Sequence, residues 1–193
     1  AQVITPWHLY QDDQRERTIK NPIGTTKKGI GPAYQDKAQR TGLTFQEYVD
    51  KDAFSSWLDR RCSSDKVFAV HYKANTVLWQ SFVKAADYFQ AYVAPVEWRL
   101  RHLLKSEQSI LFEGAQGSLL DINHGTYPYV TSSSTIAAGA ASAVGFDPRA
   151  INDVVGIAKA YVTRVGEGPF PTEMAGPIGK QLAKKGFEFG ATT

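Results

Sequence analysis

The apolar positions divide the chain into stretches of different character. Residues 2–5 read as a short strand closed by Pro6. Residues 7–20 read as a helix with Leu9 and Tyr10 on one side and a run of charges after them. Asn21-Pro22 breaks that helix. Pro32 suits the first turn of a second helix reaching about Arg40, and Thr41-Gly42 ends it. Thr44-Phe45-Gln46-Glu47 has the spacing of a capping box, which opens a helix offering Phe45, Tyr48, Val49, Phe54, Trp57 and Leu58 for burial. From residue 65 to about 94 the positions Val67, Val70, Val77, Leu78, Phe82, Ala85, Phe89 and Tyr92 keep a helical rhythm. Pro95 interrupts it, and Trp98, Leu100, Leu103 and Leu104 resume it. A helical subregion over about 44–106 is the expectation.

The last third changes period. Ser109-Ile110-Leu111-Phe112 reads as a buried strand, 127–130 and 153–163 as two more, and Ala137-Ala138-Gly139-Ala140-Ala141 as a small-residue helix able to lie close to a sheet. Strand, glycine loop and helix in alternation predict an α/β fold with a mainly parallel sheet and flanking helices, a single domain over 1–193.

Composition narrows the function classes. The 193 residues carry 22 Lys+Arg against 19 Asp+Glu, a net charge of +3, spread too evenly for the basic face that nucleic acid requires. The lone cysteine, Cys62, can form no internal disulfide and fits a reducing compartment. There is no apolar run long enough for a membrane span, and no signal-peptide pattern. A cytoplasmic protein without nucleic-acid or membrane partners is expected.

Three loops carry the candidate chemistry. Ile23-Gly24-Thr25-Thr26-Lys27-Lys28-Gly29-Ile30-Gly31 joins glycines, whose backbone N–H groups can approach an anion, to two hydroxyls and two lysines ahead of a helix N-terminus. It is not a P-loop, since Ile30 stands where that motif needs lysine. The alternative is a surface loop with solvated lysines. Phe112-Glu113-Gly114-Ala115-Gln116-Gly117 follows a strand, and Gln116 can both donate to and accept from a base edge. The alternative is a glycine turn with Gln116 facing water, or Glu113 tied into structural hydrogen bonds. Thr131-Ser132-Ser133-Ser134-Thr135 supplies more hydroxyls than one helix cap uses, which suits a phosphate. Glu113 and Asp121 are a conceivable acid–base pair. The four histidines show no metal spacing.

Taken together, Ile23 to Tyr34, Phe112 to Gly117 with Leu120-Asp121, His124-Gly125-Thr126-Tyr127-Pro128-Tyr129-Val130-Thr131-Ser132-Ser133, Lys159 to Gly166 and Gly168-Pro169-Phe170-Pro171-Thr172-Glu173 resemble, in order, the adenylosuccinate synthetases. The resemblance implies a GTP-dependent ligase of AMP biosynthesis that joins L-aspartate to IMP, works as a homodimer and uses Mg²⁺. It implies that Thr26 and Thr131 hold the IMP 5′-phosphate, that Gln116 lies beside the 6-oxygen, and that Val165 touches the ribose. Arg40 would reach the neighbouring subunit's IMP site, and Thr192 and Thr193 would open the aspartate-binding loop. Lys27 stands where many members have glycine. The family's glycine-rich amino-terminal loop with its general base, its Gly-His-Thr acid segment and its guanine-recognition part have no counterpart in the sequence. An internal fragment carrying most of the IMP pocket, with the Mg²⁺ ligands outside it, is therefore expected. The alternative is a noncatalytic nucleotide-binding or dimerisation module.

Overall fold

A computed structural model of the chain describes residues 1–188. The chain forms two compact units, one of residues 1–19 and 27–96, the other of residues 20–26 and 97–193.

The first unit is helical. Helix α1 (Pro6–Thr18) begins where the Thr5 N–H donates to His8 Nδ1 at 3.0 Å, with Pro6 in the first turn, where its missing N–H costs nothing. Helix α2 (Ile30–Gln39) starts two residues before Pro32. It closes on Arg40, whose backbone turns left-handed (φ 62°) as its N–H reaches the Lys37 carbonyl at 3.1 Å. The capping box forms as its spacing predicts: the Glu47 N–H donates to Thr44 Oγ1 at 3.2 Å, and the Thr44 N–H to Glu47 Oε2 at 3.0 Å.

The helix opened by that box is shorter than its apolar rhythm suggests. Helix α3 (Phe45–Val49) stops at Asp50, whose Oδ1 accepts from the Asp52 and Ala53 N–H groups and so opens α4 (Lys51–Ser64). Asp65 does the same for α5 (Lys66–Ala74), accepting from the Val67 and Phe68 N–H groups. Asn75 separates α5 from α6 (Thr76–Phe89). Short polar side chains offer the backbone a local partner, so they cut a helix that hydrophobic periodicity alone would continue.

The core comprises Trp7, Leu43, Tyr48, Phe54, Trp57, Phe68, Trp79 and Ala86. Phe68 is its hub. Trp7, Trp57 and Trp79 meet its ring at centroid distances of 5.7, 5.9 and 5.6 Å, all nearly edge-on, the arrangement that aromatic quadrupoles prefer. Trp57 also donates its Nε1–H to the Thr41 carbonyl at 3.0 Å. Beside this core lies a buried polar cluster. Because His8 Nδ1 accepts from Thr5, its proton sits on Nε2, which donates to Asp36 Oδ2 at 3.2 Å; Arg61 Nη2 donates to the same carboxylate. The predicted strand at 2–5 is a single antiparallel bridge between Gln2 and Thr44, flanked by Val3 N–H to Leu43 carbonyl and Phe45 N–H to Ala1 carbonyl bonds.

The second unit holds helix α7 (Val96–Lys105) apart from its first residue, then α8 (Ala138–Val144) and α9 (Pro177–Lys185), joined by long loops. The parallel sheet expected from the sequence is not seen among the described residues, where Gln2 and Thr44 form an isolated antiparallel bridge. Residues 109–112 and 153–159 run without regular structure, and Leu111 and Ile157 are 91% and 96% exposed. A β-branched run becomes a strand only when a neighbour takes up its backbone groups. Residues 127–130 form turns instead of a strand, with the Tyr129 N–H on the Thr126 carbonyl and the Val130 N–H on that of Pro128. No helix among the described residues is long and apolar enough to cross a membrane.

Candidate functional site

The sequence-predicted loops of the second unit are tied to one another through backbone groups and two buried charged side chains. Residues 23–24 meet 166–167 at close range: the Glu167 N–H donates to the Ile23 carbonyl at 3.1 Å. A Cβ on Gly24 would stand 2.9 Å from the Gly166 Cα, and one on Gly166 would stand 2.9 Å from the Gly24 carbonyl oxygen. Both glycines have positive φ, so this crossing needs glycine on each side. It brings the segment of Val165, a 55% exposed side chain, to the stretch that leads into the exposed Thr26.

Arg164 makes the next link. Its buried guanidinium donates from Nε to the Glu167 carbonyl at 3.0 Å and from Nη2 to the Tyr129 carbonyl at 2.8 Å and Thr126 Oγ1 at 3.2 Å. The planar fork thus holds 126–129, just ahead of Thr131, against 164–167. Thr131 is itself fixed by its N–H on the Leu120 carbonyl at 2.9 Å.

Asp121 makes the third link. It is completely buried. Its Oδ1 accepts from the Asn123 and His124 N–H groups at 2.9 and 3.1 Å, and its Oδ2 from Ser134 Oγ and the Thr135 N–H at 3.0 and 2.7 Å. These donors, the Asn123 N–H foremost, hold its carboxyl well below the ordinary 3.8 despite burial. Asp121 is therefore a strut that stays ionised at neutral pH, and the acid–base role considered from its spacing to Glu113 does not fit it. Thr135 Oγ1 then donates to the Gly117 carbonyl at 2.8 Å, joining the hydroxyl run to the loop of Gln116. Gln116 is exposed, with left-handed backbone at φ 63°.

Of the residues expected at the site, Thr26, Gln116, Thr131 and Val165 thus belong to the second unit, and Arg40 to the first, as the exposed cap of α2. Thr192 and Thr193 lie outside the described residues. Arg164 lies inside the Lys159 to Gly166 motif but has no role in the expected site; its signal in the sequence is an arginine between a β-branched pair and a glycine turn. The exposed Thr26 hydroxyl, the half-buried Thr131 hydroxyl, a primary amide and backbone turns suit a polar, anionic ligand with a hydrogen-bonding ring. Among the described residues no group of three His, Cys, Asp or Glu side chains can hold a metal ion. Asp121 has its oxygens occupied by four protein donors. The described residues therefore offer no all-protein cage for Mg²⁺.

Comparison with known proteins gives the same direction. The family model for adenylosuccinate synthetase matches residues 1–193. The chain is 45% identical to an adenylosuccinate synthetase of Clostridium novyi (strain NT), covering 100% of this chain and 46% of that protein. It is 47% identical to one of Actinobacillus pleuropneumoniae serotype 5b (strain L20), covering 99% and 46% respectively. A solved structure of fully ligated adenylosuccinate synthetase from Plasmodium falciparum superposes with a TM-score of 0.88 at 32% identity, over 100% of this chain and 48% of that one. The chain spans about half the length of the curated relatives it matches. With its motif loops in order and its whole length matched, the chain belongs to the adenylosuccinate synthetase family.

Proposed function

We propose that the protein carrying this chain ligates L-aspartate to IMP at the expense of GTP, giving adenylosuccinate in AMP biosynthesis. GTP phosphorylates the 6-oxygen of IMP, and the aspartate amine then displaces that phosphate. The chain contributes the IMP-binding part. Thr26 and Thr131 donate their hydroxyls to the 5′-phosphate, Gln116 faces the 6-oxygen, and Val165 packs on the ribose. Arg40 reaches the IMP site of the other subunit of a homodimer, and Thr192 and Thr193 begin the aspartate-binding loop.

One observation carries this reading. The loops of Thr26, Val165, Thr131 and Gln116 form a continuous hydrogen-bonded series through Glu167, Arg164, Asp121 and Thr135. A series of that kind can hold separate hydroxyl and amide groups in fixed positions before the ligand arrives, which lowers the ordering cost of binding. Mg²⁺, which would screen the charge of the GTP phosphates, takes its ligands from other parts of the protein. In the whole protein the apolar segments 109–112 and 153–163 pair as strands of a parallel sheet within one α/β domain, and the enzyme is cytoplasmic.

The test is product formation by the full-length protein that depends on IMP, aspartate and GTP together. Absence of product overturns the reading. The isolated chain, spanning about half the length of its relatives, is a noncatalytic nucleotide-binding part, and turnover by it alone would contradict that.

A further inference from the structure

The second half of α1 holds a carboxylate that neither the motif reading nor the proposed reaction uses. Asp12 is 5% exposed, and its Oδ2 accepts from the Gly29 N–H at 2.8 Å. Gly29 is the residue before α2, with backbone in the left-handed region (φ 73°), and its carbonyl accepts the Ala33 N–H at 3.1 Å. One helical turn before Asp12, on the same face, His8 closes the other side. A Cβ on Gly29 would stand 2.9 Å from the His8 Cβ. Gly29 is thus seated between a carboxylate that takes its N–H and a side chain that excludes any substituent.

The neighbouring carboxylate grips the other end of the same turn. Asp13 Oδ1 lies 3.1 Å from Lys27 Nζ, and its Oδ2 lies 2.7 Å from Arg17 Nε. Lys27 also has left-handed backbone, at φ 55°. Two successive side chains of one helix therefore fix both ends of Lys27-Lys28-Gly29, and Thr26 is joined to this clamped turn by a single peptide bond.

We infer that Asp12 is a positioning residue for the phosphate-binding loop, holding the turn that follows Thr26 by taking the Gly29 N–H. The inference rests on the reading that Thr26 binds the IMP 5′-phosphate. Asp12 touches no reacting atom. Its effect falls on how well the loop meets a phosphate, so it changes nucleotide affinity and leaves the chemical step alone.

The test uses the full-length enzyme and its D12A, D12N and T26A variants, with kcat and KM measured for IMP and binding measured for IMP and for inosine, which lacks the phosphate. Losing a buried, charge-assisted acceptor should raise KM for IMP by about tenfold in D12A, while the weaker amide acceptor of D12N should give roughly threefold. In both, kcat stays within about twofold, and inosine binding matches wild type. If D12A does not fold, the D12N values decide alone. An unchanged KM, a fall in kcat at constant KM, or equal losses for IMP and inosine would overturn the inference. T26A separates the two claims. If T26A leaves IMP binding intact, the phosphate reading fails; if T26A weakens it and the Asp12 variants do not, only the positioning role fails.

Discussion

Lys27 holds a left-handed backbone conformation (φ 55°) that costs a residue with a side chain about 1 kcal/mol relative to glycine. Its ammonium lies on Asp13, and that contact, ahead of the one from Arg17, keeps the Asp13 carboxyl below its ordinary value. Glycine would hold this conformation without that cost. Next to it, Thr26 carries the most direct residue-level expectation. In the full-length enzyme, Thr26→Ala should weaken IMP binding by about 1–2 kcal/mol, the usual loss when a hydroxyl no longer donates to a charged acceptor; titration calorimetry would read it, and an unchanged affinity would count against the phosphate role. In the proposed reading, Gln116 lies at the other end of the nucleotide. If its amide meets charge that develops at the 6-oxygen, Gln116→Leu should lower kcat far more than it changes IMP affinity. Steady-state kinetics with normal turnover would remove it from the site.

Among the elements, the loop built on Asp121 has a definite response to acid. Its carboxyl is held below 3.8 in the fold, chiefly by the Asn123 N–H and then by Thr135, Ser134 and His124. The unfolded chain therefore binds the proton first as pH falls. The stabilisation from Asp121 is complete above about pH 4 and is lost as pH drops through the lowered value. Urea denaturation across this range should show wild type losing stability that Asp121→Asn never had, and parallel curves would contradict the role. The same elements show what the sequence made legible. The capping box at Thr44 and Glu47 fixed a helix start from four letters, because its bonds are local. The stops at Asp50, Asp65 and Asn75 escaped the periodicity, because each depends on a single polar side chain turning back to the backbone. The strand pattern at 153–163 was legible as a pattern. Pairing depends on a neighbour that the segment itself does not encode, and Ile157 remains 96% exposed. In the candidate site, the polar loops were readable from glycines and hydroxyls. Their connection through Arg164 was not, because it spans 35 residues of sequence to Tyr129.

At the scale of the whole molecule, the helical unit depends on an aromatic core whose members come from five helices and one connecting segment. Trp57, 3% exposed, meets Phe68 edge-on and donates to the Thr41 carbonyl. Trp57→Ala should cost about 3–5 kcal/mol through the cavity it leaves, read as a fall in the denaturation midpoint; a change below about 1 kcal/mol would show that this core does not support the unit. The larger claim concerns the second unit, where the hydrogen-bonded series through Arg164 and Asp121 holds loops drawn from distant parts of the chain. A crystal structure of the full-length protein with IMP bound examines that claim without intermediaries. The account predicts one 5′-phosphate within about 3.2 Å of both the Thr26 and Thr131 hydroxyls, with the Gln116 amide at the base. A phosphate held by other residues, with these two hydroxyls facing water, would contradict it.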